Sequence, residues 1–530
     1  MLNTPRALRG MVTSPHHLAS QAGLSVLQDG GTALEAAVAT AAALASVYPH
    51  MTGIGGDGFW LVLWPDGRSE VIDACGRAAG AATVALYRDA GHGTVPWRGP
   101  LAANTVAGTL SGWDAALRLS ESVRPALPLA RLLRDAIHHA RAGSVVTAGH
   151  ARLARDKASE LAHVPGYAAL FMPDGHPLRE GDVFRNPMLA RTLERLARDG
   201  LADFYDGAVL ADVVADLAAV GSPLVEGDFT THGARVVPAL ELAISGARLF
   251  NAPPPTQGLA SLLILGIADR LAKGQGEDFT HIHALVEATK QAFAVRDADV
   301  GDPAFMQTPA QAILNDPAVI DGMAANIDMA RAAPWPQRDH PGDTVWLGAI
   351  DSDGLAVSMI QSTYFEFGSG VVLPRTGIVW QNRGASFRLV DEGWNALRPG
   401  RQPFHTLNPA GARLKDGRVM VYGTMGGEGQ PQTQAALFSR YVWHGMGLQD
   451  AVTAPRWLLG RTWGQDSISL KYEDRFAPDV ITQLQAAGHA MERVAPFTSL
   501  MGHAGAVVRH ASGVLEGATD PRSDGSVAAW

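Results

Sequence analysis

The sequence predicts a layered α+β protein. Two observations predict it: β-rich runs joined by tight turns occur near both ends of the chain, and the stretch from about 105 to 330 is mostly helical in its apolar spacing. A four-layer αββα sandwich is compatible with that distribution, although periodicity alone does not single it out. The 58 glycines and 32 prolines are dispersed rather than gathered into a low-complexity tract.

The elements follow in order. Residues 16–29 have helical spacing, and Gly30-Gly31 ends them. Thr32-Ala-Leu-Glu35 is a capping box for an alanine-rich helix whose small residues favour close packing. Gly53-Ile-Gly-Gly-Asp-Gly58 fits G-x-G-x-x-G, but the order is wrong for a dinucleotide site. Such a fingerprint follows a strand and opens a helix; here a helix precedes it and the strand Phe59–Trp64 follows. Pro65-Asp-Gly67 turns the chain into a second strand, Ser69–Ala74. The middle holds helices at Leu129–Ala142, at Pro187–Asp199 and from a Thr280 cap to about 297. Residues 398–404 are a Pro/Arg/Gly connection. Gly411–Gly427 reads as a hairpin with a Lys415-Asp-Gly417 turn, a helix follows at about 432–446, and Ala504–Arg509 is a later strand.

Composition bounds the function. The chain has 530 residues, 47% hydrophobic and 18% charged, which is ordinary for a globular protein of one large core or several domains. A net charge of −9 argues against general nucleic-acid binding, which needs a basic face. The only cysteine is Cys75, so no intrachain disulfide forms. The N-terminus has no apolar signal region, and the longest apolar stretches, such as 36–47, are too short to span a bilayer. The expectation is a cytoplasmic protein with no nucleic-acid or membrane partner.

The most informative segment is the hairpin at 344–361. Thr344-Val-Trp-Leu-Gly-Ala-Ile350 and Leu355-Ala-Val-Ser-Met-Ile-Gln361 flank an Asp-Gly turn. A backbone cut before Thr344 would leave a hydroxyl and a free α-amine on one residue, a nucleophile with its own base. Threonine is also an ordinary strand residue, and residue type alone does not separate the two readings.

Seven segments in order carry a resemblance. They are Gly53–Phe59, Asn251-Ala-Pro-Pro-Pro-Thr-Gln-Gly258, Gly301-Asp-Pro303, the Thr344 hairpin, Phe367-Gly-Ser-Gly370, Gly423-Thr-Met-Gly-Gly427 and Gly517-Ala-Thr-Asp-Pro-Arg522. Together they resemble the γ-glutamyltranspeptidase family of N-terminal-nucleophile hydrolases over almost the whole chain. The resemblance implies the αββα fold, no cofactor and no metal. It implies self-cleavage between Asp343 and Thr344, giving a large subunit 1–343 and a small subunit 344–530 that stay together as one globular unit. It implies Thr344 as nucleophile, Ser362 as a second hydroxyl beside it, and Gly426 and Gly427 as the oxyanion hole. A dimer of such heterodimers is compatible with it.

The pocket departs from the family. The position of the family's carboxylate-binding arginine is Cys75, with Arg77 two residues later. The family's Asn, Gln and Asp around the donor ammonium become Tyr364, Arg383 and Ser386, and its paired serines become His405-Thr406. The connection 388–402 is shorter than the family uses, so the lid over the donor pocket is expected to be missing. The site loses an anion and gains a guanidinium, which favours a small acidic amide over an amino-acid donor. Met11–Ala19, Gly76-Arg-Ala78 and Gly427-Glu-Gly-Gln-Pro-Gln432 are most similar to the oxamate amidohydrolase branch, which acts in purine degradation. The expected substrate-binding set is therefore Arg77, Tyr364, Arg383, His405 and Thr406. Alternatives within the family are a γ-glutamyl hydrolase or transpeptidase and a cephalosporin or glutaryl acylase. Outside it are an inactive scaffold and a metal hydrolase built on His281, His283 and Glu287. The last three are expected to be exposed helix positions, since no His-Glu-x-x-His motif is present.

Overall fold

A computed structural model describes residues 3–335, 344–460 and 467–530. Two seven-stranded antiparallel sheets lie face to face. In the first the strands run in the order Ser526–Ala529, Gly10–Ser14, Val345–Asp351, Ala356–Ser362, Asp57–Leu63, Ser69–Ala74, Arg235–Pro238. In the second the order is Arg6–Ala7, Leu515–Thr519, Ala504–Arg509, Val419–Thr424, Ala410–Leu414, Ala247–Asn251, Leu240–Ile244. Each sheet is thus assembled from both ends of the sequence.

Strand alternation sorts the side chains into layers. Val345, Leu347 and Ala349 point outward into a core shared with the helices His17–Gln28, Ala33–Val47 and Leu129–Ala142. Trp346 and Ile350 point inward, where they meet Phe59, Leu61, Val421 and Val507. On the far side, Met420, Tyr422, Ala506 and Val508 pack under the helices Gly258–Ala268, Phe279–Asp299 and Gln430–Phe438. The result is a four-layer αββα sandwich, which the hairpins and intervening helices allow and the family resemblance implies.

Trp346 sets the spacing between the sheets. A Cβ on Gly423 would stand 2.2 Å from its ring, one on Gly505 2.5 Å and one on Gly348 2.7 Å. These glycines leave room for one indole. Its Nε1 donates to Ser358 Oγ at 2.9 Å, and Ser358 Oγ donates to the Tyr422 carbonyl of the other sheet at 3.3 Å. The Thr32–Glu35 capping box forms, and the alanine-rich helix is buried on every side.

Several boundaries differ from the sequence reading. The helix expected from Thr280 is capped by Asp278, which accepts from the His281 N–H, and runs Phe279–Asp299. The helix expected at about 432–446 spans Gln430–Phe438 and ends in a π turn over Ser439–Trp443. Within the mainly helical middle, besides the two-residue strands Ser144–Val145 and Val183–Phe184, lie the strands Arg235–Pro238, Leu240–Ile244 and Ala247–Asn251. Arg235–Pro238 and Leu240–Ile244 are the outer edges of their sheets, where short proline-flanked segments carry little periodic signal. No helix among the described residues is long and apolar enough to cross a membrane.

Gly423→Ala should destabilise the protein by about 1–3 kcal/mol, because Trp346 has nowhere to move. Urea denaturation of the two proteins measures it, and an unchanged midpoint would contradict the spacer role of Trp346.

Candidate active site

The inward row at one end of the first sheet defines the site. Val345 pairs with Gln361 and Ser362 pairs with Asp57, so Thr344 falls opposite Ser362. Gly58 pairs with Ala74, which continues the row to Cys75. Thr344 is wholly buried, and its Oγ1 donates to Ser362 Oγ at 3.4 Å. Ser362 Oγ accepts from the Tyr364 N–H at 2.8 Å. Tyr364 makes that bond at a φ of 82°, a strained value for a bulky residue and a mark of a constrained site. Asp343 lies outside the described residues.

The glycine run 53–58 serves close backbone approach. A Cβ on Gly56 would stand 2.1 Å from the Ser362 carbonyl oxygen, and one on Gly55 2.3 Å from that of Val379. Across the gap, Gly426 and Gly427 turn the chain from the strand Val419–Thr424 toward the helix Gln430–Phe438, with φ values of 119° and 53°. That turn also sits at the electropositive end of a helix. Gln257 ties the turn to the pocket wall. Its Nε2 donates to the Thr406 carbonyl at 2.7 Å and to the Gly427 carbonyl at 2.8 Å, and its Oε1 accepts from Arg296 at 3.1 Å. Arg296 in turn pairs with Glu428.

Arg383 is the main charge beside these residues. It is fully buried, its guanidinium carbon lies 3.4 Å from the Tyr364 ring centroid, and Nη1 donates to Thr406 Oγ1 at 3.3 Å. Its Nε and Nη2 have no hydrogen-bond partner among the described residues. Burial lowers its pKa, and Tyr364, Cys75 and Asp57 oppose that shift. Beside it, burial and the Arg383 charge hold His405 well below its ordinary value, so the ring is neutral. Its contact with Asp57, Nε2 to Oδ2 at 3.2 Å, is therefore a hydrogen bond rather than an ion pair. Asp57 Oδ1 accepts from Gly76 N–H at 3.0 Å, Gly108 N–H at 3.1 Å and Gln381 Nε2 at 3.1 Å. Burial raises the Asp57 pKa to about 6, with the Gly76, Gln381 and Gly108 bonds pulling against it.

Of the expected residues, Thr344 and Ser362 meet, and Tyr364, Arg383, His405 and Thr406 form one wall. Arg77 departs from expectation. Its side chain is 44% exposed, donates to the Gly400 carbonyl at 2.9 Å and faces Asp302 at 3.7 Å. The strand Ser69–Ala74 ends before it, so the chain has already turned outward. Ser386 donates to the Phe404 carbonyl. Sequence reasoning missed Asp57 and Gln257 as site residues, although both lie inside motifs it had marked.

Two groups of described residues have metal-ligand chemistry: Asp57, Cys75 and His405, and His283, Glu287 and His489. The expectation that His281, His283 and Glu287 are exposed is overturned, because their helix is packed by Gly258–Ala268, Gln430–Phe438 and Pro478–Ala486. The polar atoms of His283 and Glu287 are already engaged. Lys290 Nζ lies 2.6 Å from Glu287 Oε1, and His283 bonds His489 at 2.9 Å. In the first group the Arg383 cation stands beside the ligands, which disfavours a second cation.

The Asp57 shift gives a pH prediction. A carboxyl with a raised folded-state pKa contributes stability that is complete below the unfolded value near 3.8 and is lost as pH rises through about 6. The stability advantage of wild type over Asp57→Asn should therefore be larger at pH 4 than at pH 7.5, by on the order of 2 kcal/mol. Denaturant titrations at the two pH values read this difference; a gap independent of pH would contradict the shift.

The gamma-glutamyltranspeptidase family model matches residues 19–530. The chain is 55% identical over 522 residues to the oxamate amidohydrolase proenzyme of Klebsiella pneumoniae, covering 98% of each. It is 40% identical to the glutathione hydrolase-like YwrD proenzyme of Bacillus subtilis, covering 97% of each. The crystal structure of cephalosporin acylase from Bacillus halodurans superposes with a TM-score of 0.91 at 32% identity, over 100% of this chain and 97% of that one.

Proposed function

We propose that this chain, which belongs to the gamma-glutamyltranspeptidase family and is an amidohydrolase proenzyme, hydrolyses oxamate to oxalate and ammonia on an N-terminal Thr344. The observation that carries the substrate class is Arg383. A buried guanidinium with Nε and Nη2 unpartnered is matched by a carboxylate that accepts both bonds at once. The Tyr364 stack and the Thr406 bond fix the fork in place. The 55% identity to an oxamate amidohydrolase proenzyme supports the choice among small carboxylate-bearing amides.

In the precursor, Thr344 Oγ1 attacks the Asp343 carbonyl and the acyl group moves from nitrogen to oxygen. Water hydrolyses the ester, leaving subunits 1–343 and 344–530 in one globular unit. The freed α-amine has an unperturbed pKa of about 7.7–8.0, suited to a general base near neutral pH. Thr344 Oγ1 gives its proton to that amine and attacks the amide carbonyl. The backbone N–H groups of Gly426 and Gly427 receive the oxyanion. Ser362 orients the Thr344 hydroxyl. Collapse breaks the C–N bond, the amine returns its proton to the leaving nitrogen, and water attacks the acyl-enzyme to release the diacid.

Thr344→Ala should run as one full-length band on a denaturing gel, and two subunits from that variant would contradict the assignment. Arg383→Ala should lose about a hundredfold or more in kcat/KM for oxamate, since two charged hydrogen bonds of roughly 1.5–3 kcal/mol each disappear. Arg77→Ala should change it by less than about threefold, as expected for an exposed side chain. Equal losses would overturn the placement of the substrate carboxylate. Faster turnover of a γ-glutamyl anilide or a glutaryl amide than of oxamate would overturn the substrate.

A further inference from the structure

Hydrolysis of an amide that already carries a carboxylate changes the charge of the ligand. The C–N bond breaks, the nitrogen leaves as ammonia, and the water oxygen ends in a second carboxylate. A monoanion enters and a dianion must leave. A buried arginine acting alone would hold the dianion more tightly than the substrate, and the product would block its own site.

The pocket wall holds one further charge. Asp57 is wholly buried and stands one strand beyond Ser362 in the inward row that begins at Thr344. Three donors pin its Oδ1, so the carboxylate has no freedom to swing away. Its Oδ2 meets His405, and the next residue, Thr406, accepts from Arg383. Asp57 and Arg383 are near enough for their charges to act on one another. Asp73, which accepts from the Cys75 N–H, is paired with Arg235 at 2.6 Å, and Arg77 faces Asp302; the other titratable groups of this wall are neutral. Burial pushes the Cys75 thiol and the Tyr364 hydroxyl upward, and His405 downward. Glu428 is matched by Arg296. Below the wall's polar surface, the fixed charge at neutral pH is one cation and one anion.

We infer that Asp57 is a specificity-determining residue that balances Arg383, so that the pocket admits a monoanionic amide and rejects the dianionic acid formed from it. The inference rests on the proposed role of Arg383 as the carboxylate site. Asp57 touches no reacting atom in this account; it acts through the field it sets around the bound ligand. His405 and the Gly76 and Gly108 amides keep it in place.

The test is calorimetric titration of the processed wild-type enzyme with two probes of similar size, pyruvate as the monoanion and oxalate as the dianion, at pH 7.5. Pyruvate should bind about tenfold or more tightly than oxalate. In Asp57→Asn the gap should close to about threefold or less, mainly through tighter oxalate binding, and oxalate should become a stronger product inhibitor. Wild-type enzyme that binds oxalate as tightly as pyruvate, or that binds neither, overturns the inference without requiring the variant to fold. A variant that keeps the wild-type gap also overturns it. Oxamate turnover, assayed separately on the wild type, fails only if the proposed function fails.

Discussion

The register of three neighbouring strands is the constraint on which the rest depends. Pairing of Val345 with Gln361 and of Ser362 with Asp57 puts the Thr344 hydroxyl, the Ser362 hydroxyl and the Asp57 carboxylate on one inward row. A slip of one residue would turn that row out into the helix layer. The alternation that buries Val345, Leu347 and Ala349 against helices and Trp346 between the sheets holds the register. Trp346 has a second effect. Seated over Gly423 and Gly505, it fixes the distance between the strand that carries Thr344 and the strand that leads to Gly426 and Gly427. The proposed nucleophile and the proposed oxyanion donors belong to different sheets, so their spacing is set by packing between sheets rather than by local sequence.

The pocket wall is built the same way, from distant segments held by few bonds. Gln257 joins Thr406 to Gly427, and Asp57 joins Gly76, Gly108, Gln381 and His405. Each hub spans large sequence separations, and each is fully buried, where an unmet polar group is expensive. Two nitrogens of Arg383 lack a hydrogen-bond partner among the described residues, as does the neighbouring Gln381 Oε1, and Arg383 alone of these carries a charge. A buried guanidinium of this kind favours a charged partner, and the proposed carboxylate-bearing substrate would supply one.

Much of this was legible in the sequence. The hairpins at 344–361 and 411–427, the Thr32 capping box and the helices Leu129–Ala142 and Pro187–Asp199 carry strong local signals, and the structure contains each of them. The edge strands at 235–238 and 240–244 carry weak ones. The dinucleotide-like glycine run was separable from a Rossmann loop by element order alone, and the structure gives its reason in the close contact of Gly56 with the Ser362 carbonyl. Asp57 escaped notice because its role comes from pairing across strands, and Gln257 because its partners are backbone carbonyls that no side-chain motif reveals. Arg77 and Arg383 look equivalent as residue types. Only the fold shows one guanidinium at the surface and the other buried on Tyr364. His283 and Glu287 were misread as exposed because a helix covered on several sides leaves no amphipathic pattern to read.

The most direct test of the central claim is mass spectrometry of the small subunit, acid-quenched during oxamate turnover. The account predicts a peptide that begins at Thr344 and carries an oxalyl ester on that residue. Oxamate consumption with an unmodified Thr344 peptide, with the acyl group on another residue, or with a chain uncut before Thr344 would contradict it.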